Sequence, residues 1–331
     1  MLSGEMKSLG EVCEQLNIQV AKPKLLRYAN NQSVFYANRY ELLGTRAWDR
    51  HPQNRFATAY FHGKPGNGEA IFDEMHKILC ESHSHIHRVQ VSHTEMRDIV
   101  LSSGIDSHKV FLIPIGIDIS VFRPQTYESK KTARAKFGVP ESAVVVGSFQ
   151  KDGSGWGEGN EPKLIKGPDV FLAVLKQLKE RVPEVVVLLT GPARGYVIKG
   201  LQEINVPYKH IMLDKYEDIN GAYHCLDLYI VASRQEGGPK AILESMATGV
   251  PLVSTRVGQA MDLVRHGENG WLTEVQDVQG LAHWSLVALE QSAFDKQSIV
   301  QSARRTAEEN SYTAQIPLWK KFMDGFVERK P

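Results

Sequence analysis

Hydrophobic positions along the chain follow two alternating patterns. Short apolar runs rich in valine and isoleucine occur at Ser33–Tyr36, Phe56–Phe61, Val89–Ser92, Val110–Ile115, Ala143–Gly147, Val185–Leu189, His210–Leu213, Leu228–Val231 and Leu252–Ser254. Unbroken apolar character over so few residues suits a strand buried on both faces. Between them lie helical stretches, among them Met6–Leu16, Glu69–Ser82, Glu95–Ser103, Pro168–Arg181, Ala241–Thr248 and Leu281–Gln291. Strands separated by helices pair in parallel as βαβ units. No repeat at a fixed period and no low-complexity tract interrupts the alternation.

The polar stretch Phe122–Lys136 (FRPQTYESKKTARAK) reads as a boundary, because it follows the turn IPIGID and the alternation restarts at Ala143. The expectation is two doubly wound α/β domains in series, residues 1–122 and 123–310, followed by a terminal helix over 311–331. Ligands in such sheets bind beyond the carboxyl ends of the strands, so the loops that follow strands are where chemistry is sought.

Composition narrows the field. The 331 residues are 42% hydrophobic and 23% charged with a net charge of +1, which removes nucleic acid as the expected partner, since that would leave a basic excess. No apolar run reaches the roughly 18–20 residues of a membrane helix. The opening residues MLSGEMKSLGEV carry neither the basic region nor the apolar core of a signal peptide. Cys13, Cys80 and Cys225 are odd in number and far apart, which suits a reducing compartment. The expected location is cytoplasmic.

The most informative segment is Val231–Gly258, VASRQEGGPKAILESMATGVPLVSTRVG. A strand ends near Ser233, a glycine-rich turn follows and a helix begins near Lys240. Such a turn gathers backbone N–H groups and the positive end of a helix at one point, ready for an anionic or hydroxyl-rich ligand. Glu236 in the turn can accept from sugar hydroxyls, and Glu244 from a ribose diol. An ordinary βα turn with solvated glutamates fits the same residues.

Glu236, seven residues and Glu244, set in EGGPKAILESMATGVPLV, resemble the glutamate-pair motif of retaining GT-B glycosyltransferases of family 4. YHCLDLYIVASR before the motif and STRVGQAMDLVRHGENGWL after it follow the family in order. So do VSHTEMRDIVLSSGI and IPIGIDISVFRP upstream, and the resemblance extends over residues 56–275. It implies a GT-B fold of two Rossmann-like domains facing a cleft, with a nucleotide-sugar as donor. Glu236 would contact the transferred sugar and Glu244 the nucleotide ribose. Gly237, Gly238 and Lys240 complete the turn, while Pro239 stands where the family often has a glycine and offers no N–H.

The resemblance also asks for cations at the diphosphate, beside the loop after the first strand of the second domain. Lys166, in KGPD, matches the family's lysine and precedes a helix N-terminus, where dipole and charge act together. The family's arginine is replaced by Ser148, with Gln150 and Lys151 close behind, and Lys151 is the candidate substitute. The long loop with Gly153, Gly155, Gly157 and Gly159 reads either as a flap over the diphosphate with Trp156 as lid, or as a plain surface loop. It lacks the spacing of a dinucleotide fingerprint.

In the first domain, His62 in FHGKPGNG matches a histidine that the family places near the reaction centre. His83, His85 and His87 would share one face if they lay on a strand, but no acidic partner accompanies them and a solvated or core-edge role is preferred to metal. Ser3-Gly4-Glu5 resembles the acceptor-side loop of a family member, with Gly4 its glycine, but without the strand that should precede it. Either that strand is dispensed with or the gene product is cut short. Ser311–Lys330 forms an amphipathic helix with Trp319, Phe322 and Phe326 on one side. Core packing is its expected use, while Lys320, Lys321, Arg329 and Lys330 leave room for peripheral contact with the inner face of a membrane.

The resulting expectation is a retaining hexosyltransferase. It would use a UDP- or GDP-sugar, no metal and no cofactor, and act on a saccharide or glycolipid hydroxyl in polysaccharide or glycoconjugate synthesis. No side chain offers itself as nucleophile, and the family is thought to let the departing phosphate take the acceptor proton. The rivals are a non-catalytic sugar-nucleotide-binding subunit and a GT-B nucleotide-sugar epimerase.

Overall fold

The computed structural model of the protein describes residues 3–20, 30–155 and 157–327. The chain divides into two compact units, residues 1–116 with 310–331, and residues 117–309.

In the first unit four parallel strands, β1 (Ser33–Tyr36), β2 (Arg55–Ala59), β3 (Arg88–Val91) and β4 (Val110–Leu112), lie side by side in chain order. Successive residues point to opposite faces of this sheet. Phe56, Val89 and Val91 meet Leu42, Leu43, Trp48, Met75 and Leu79 on one side. Ala57 and Ile113 meet Leu9, Val12 and Cys13 on the other, together with Trp319, Phe322, Met323 and Phe326. The Ile316–Met323 helix therefore spends its apolar side on this core, and that side is not available to a membrane. Polar ties fix the same segment: Ser33 Oγ donates to the Phe326 carbonyl at 2.6 Å and Arg55 to that of Gly325 at 3.1 Å.

The second unit is a six-stranded parallel sheet in the order β10-β9-β8-β5-β6-β7. Its strands are β5 (Val144–Ser148), β6 (Val185–Thr190), β7 (Tyr208–Ile211), β8 (Leu228–Val231), β9 (Leu252–Thr255) and β10 (Trp271–Thr273). The chain winds outward from β5 through β6 to β7, then returns to β8 on the other side of β5. The neighbours β5 and β8, in register at Val146 and Leu228, thus flank a topological switch point. Alternate strand residues feed two separate cores, Val145, Leu188 and Tyr229 on one face and Val146, Val187 and Leu228 on the other.

Three sequence expectations change, and one strand went unseen. The polar stretch after Phe122 is not a linker: Tyr127–Phe137 is a helix of the second unit. A reciprocal capping box starts it, with Ser129 N bonded to Thr126 Oγ1 at 3.1 Å and Thr126 N to Ser129 Oγ at 2.8 Å. Its buried Arg134 pairs with Asp227 at 2.7 Å. Strand β10, too short to show a period, escaped notice. The first helix runs Ser3–Gln15, so Gly4 lies in a helix and not in a loop ahead of one. Finally, His83–His85 is a 3-10 turn, which removes the strand spacing that a shared metal face required. His85 instead stacks on Trp48 at 5.5 Å, and His87 Nδ1 accepts from the Phe56 amide at 3.2 Å.

Candidate functional site

The loops after β5 and β8 bring four polar residues into one network. Lys166 Nζ sits 2.6 Å from both carboxylate oxygens of Glu236. Ser233 Oγ donates to Glu236 at 2.8 Å and lies 3.2 Å from Gln150 Oε1. The other end of Gln150 donates to the Lys166 carbonyl at 2.8 Å. Gln150, Lys166, Ser233 and Glu236 therefore form a closed ring. It stands at the carboxyl ends of the two switch-point strands.

Backbone constraints explain how these residues arrive there. Lys166 ends a 3-10 turn, Leu164–Lys166, and Gly167 then takes a left-handed φ of 64° that starts the Pro168–Arg181 helix. Gly167 has no room for a side chain, because an added Cβ would lie 1.9 Å from the Ala232 carbonyl oxygen. Arg234 clamps the same loop from the opposite side. Its guanidinium bonds both oxygens of Asp169, at 2.8 and 2.6 Å, and the Leu164 carbonyl at 2.7 Å. That bond holds the Asp169 carboxyl below its ordinary range. On the glutamate side, Thr255 Oγ1 donates to the Ser233 carbonyl at 2.6 Å. Gly258, with φ of 51°, backs against the Glu236 and Gly237 carbonyls, where a Cβ would come within 2.7 Å of both oxygens.

Glu244 lies in the Lys240–Thr248 helix and is buried. Its carboxylate accepts from the Tyr216 hydroxyl and, at 3.0 Å, from the Tyr223 hydroxyl. Burial pushes its pKa up, opposed by the Tyr216 bond, by Lys240 and by the Tyr223 bond. Aromatic neighbours close the region: Phe149 contacts Tyr223 at 4.9 Å and Tyr229 at 5.4 Å, and Lys240 Nζ lies 5.3 Å from the Tyr216 ring centre. Neither tyrosine was singled out in the sequence, since each is placed by a fold contact more than twenty residues from Glu244.

The remaining sequence candidates fall elsewhere. Ser148 is buried, and its carbonyl and hydroxyl face Arg194. Lys151 is half-buried in the next segment. The glycine-rich loop, exposed at Ser154, Gly155 and Gly157, is anchored on either side of that stretch. It is a hairpin whose Glu158 and Gly159 carbonyls accept from the amides of Gly195 and Tyr196, at 2.8 and 2.9 Å. Trp156, the suggested lid, lies outside the described residues. His62 is exposed at the carboxyl end of β2 in the first unit. There its turn is held by the Arg39 guanidinium, which donates to the Gly63 carbonyl at 3.2 Å. Among the described residues, no group of three His, Cys, Asp or Glu could hold a metal ion, and no helix is long and apolar enough to cross a membrane.

Two parallel α/β units, the second with its polar ring at the switch point, define a GT-B protein. Known structures share the architecture. Anabaena HepE, solved with UDP, superposes with a TM-score of 0.74 at 18% identity over 96% of this chain and 84% of that one. Sucrose-phosphate synthase from Thermosynechococcus elongatus gives 0.74 at 17% identity, over 97% and 79%. Residues 159–291, which hold Lys166, Glu236 and Glu244, match the family model of the glycosyl transferases group 1. Among curated relatives, D-inositol 3-phosphate glycosyltransferase of Corynebacterium urealyticum is 29% identical over 207 residues, 59% of this chain and 46% of the relative. N-acetyl-alpha-D-glucosaminyl L-malate synthase of Bacillus anthracis is 28% identical over 130 residues, 39% and 34%. The chain thus spans about half the length, or less, of these curated relatives.

Proposed function

We propose that the protein is a retaining glycosyltransferase that moves a hexosyl unit from a nucleotide-sugar to a hydroxyl acceptor. The observation that carries this reading is the Lys166–Glu236 pair at the switch point, with buried Glu244 in the helix that follows. Glu236 exchanges its bonds to Lys166 and Ser233 for hydroxyls of the donor sugar. Lys166 then turns to the diphosphate, assisted by the amides of the glycine turn (Gly237, Gly238, Lys240) and by Lys151. Glu244 exchanges the bond from exposed Tyr216 for the ribose diol.

In the step itself the bond from anomeric carbon to phosphate oxygen breaks and the acceptor oxygen bonds the same face of that carbon. The acceptor proton passes to the departing phosphate. Fixed cations and amides aimed at developing charge supply the largest catalytic contribution in such steps. The solved neighbours that carry UDP and UDP-glucose favour a UDP-sugar. The names of the curated relatives favour a hydroxyl on a small polar acceptor, and a saccharide or glycolipid remains in the same chemical class. We place the protein in the cytoplasm and assign it no cofactor.

The test is a donor panel of UDP-glucose, UDP-galactose, UDP-N-acetylglucosamine and GDP-mannose with release of nucleoside diphosphate as readout. One donor should be hydrolysed slowly, and Lys166→Ala should lose about 2–4 kcal/mol of transition-state stabilisation. Tight nucleotide binding with no release under any acceptor would favour a binding subunit, and unchanged turnover in Lys166→Ala would remove that residue's role.

A further inference from the structure

The ring of Gln150, Lys166, Ser233 and Glu236 depends on where Gln150 stands, and Gln150 is the midpoint of a span anchored at both ends by one side chain. Arg194, from the loop after β6, is 1% exposed. At one end of the span it donates to the Ser148 carbonyl at 2.7 Å and reaches the Ser148 hydroxyl at 3.4 Å. At the other end Nε and Nη2 each bond Asp152, both at 3.0 Å. Its remaining N–H goes to the Thr190 carbonyl at 3.0 Å, so all five donors of the guanidinium are used. A planar fork with every donor engaged permits one orientation only.

Asp152 also opens the glycine hairpin. Its carbonyl accepts from Lys163 N at 2.7 Å, and Ser154 N donates to the Glu161 carbonyl at 2.8 Å. The hairpin is pressed so closely on the Arg194 loop that side chains are excluded. A Cβ on Gly153 would lie 2.3 Å from the Ala193 carbonyl oxygen, and one on Gly159 2.3 Å from the Ala193 carbonyl carbon. Because the hairpin's carbonyls cap the Gly195–Glu203 helix, that helix N-terminus is closed to an anion. The Lys166 and glycine-turn loops are left for the diphosphate.

We propose that Arg194 and Asp152 are a positioning pair for the donor site. They fix the base of the hairpin, where Asp152 and Ser154 pair with Lys163 and Glu161, and hold the Ser148–Asp152 span so that Gln150 aligns Ser233 and Lys166 on Glu236. The proposal rests on the transferase reading. It assigns catalytic importance to two buried residues whose polar groups are spent on each other and on Ser148 and Thr190. A displacement near 1 Å at a catalytic group costs about 10²-fold in rate, so loosening the span should appear mainly in kcat and not in KM.

The experiment compares wild type, Asp152→Asn and the neutral double variant Asp152→Asn/Arg194→Gln, by amide hydrogen exchange and by donor-hydrolysis kinetics. In Asp152→Asn the amides of Ser154, Lys163, Gly195 and Tyr196 should exchange at least about tenfold faster, and kcat should fall about 10- to 100-fold. The double variant buries no lone charge but lacks both latch residues, so it should stay as loose and as slow as Asp152→Asn, and a recovery toward wild type overturns the latch. Should Asp152→Asn fail to fold, Gly159→Ala, which pushes the hairpin off Ala193 and leaves the ion pair intact, carries the same readouts. A hairpin that stays protected in Asp152→Asn overturns the latch. A loosened hairpin with unchanged kcat overturns the positioning role. A wild type that turns over no donor fails at the baseline, before any variant is compared, and removes the transferase reading and this proposal together.

Discussion

Replacing Gly167 by alanine tests the geometry of the proposed donor site most directly. The residue sits at φ of 64° between Lys166 and the Pro168–Arg181 helix, with the Ala232 carbonyl oxygen 1.9 Å from where a Cβ would stand. Normal contact requires the two strand-end loops to part by roughly 1 Å, and the left-handed backbone adds its own strain. Strain of about 1–2 kcal/mol and overpacking of about 1–3 kcal/mol together predict a loss of roughly 2–5 kcal/mol. For a unit of this size that lowers Tm by roughly 5–15 °C. Because Lys166 precedes the displaced residue and Ser233 follows Ala232, kcat/KM should fall about 100-fold as well. Gly267→Ala is the control: its φ is 81° but nothing lies within 4 Å of the added Cβ. It should cost only the backbone strain of about 1–2 kcal/mol and leave kinetics unchanged. The measurements are thermal unfolding and donor hydrolysis on both variants. If Gly167→Ala behaves like Gly267→Ala in both, the packing of the two loops does not position the proposed Lys166–Glu236 ring.

Other outcomes follow from the same structure. Burial raises the pKa of Glu244 above its ordinary value, so its contribution to stability is greatest below that value and declines as pH rises through it. Glu244→Gln should therefore lose less stability than wild type between pH 4 and pH 8, while UDP affinity drops about 10- to 100-fold for want of a charged acceptor; melting curves at both pH values and calorimetry decide. In the first unit, Glu95 is held down to about 2 by His93 and by Lys64, against its burial, with Lys64 Nζ 2.8 Å away. Its stabilisation is present above pH 4.5 and is lost as pH falls toward 2, so Glu95→Gln should show a flatter acid limb in denaturation. On the proposal that Lys166 and backbone amides carry the diphosphate, donor hydrolysis should persist in EDTA; a loss that added magnesium restores would replace that assignment with a metal-assisted one.

Much of the fold was legible because buried parallel strands announce themselves as short apolar runs, and nine of the ten strands among the described residues overlap such a run. The misses share a physical cause. The Tyr127–Phe137 helix buries little besides Ala133 and the paired Arg134, so its sequence lacks an apolar stripe and reads as a connection. Strand β10 has three residues and no period to detect. At the site, Lys166, Glu236 and Glu244 were nominated by motif and spacing. Nothing local could nominate Arg194, Tyr216 or Tyr223, whose partners lie 46, 28 and 21 residues away. The departure noted at Ser148 proved informative in another way: the arginine beside it comes from the next strand's loop and faces Asp152, not an open site.

The first unit is assembled from two stretches separated by the whole of the second, and the contacts between Ser33 and Phe326 span 293 positions. Synthesis proceeds from the N-terminus, so residues 117–309 can complete their own fold while the earlier sheet still lacks Trp319, Phe322 and Phe326. The unit made first is thus finished last. During that interval the apolar face of β2 and β4 that these side chains will cover stays open to wrong partners. Slowed synthesis of the segment from Asn310 through Phe326 should harm the first unit and spare the second.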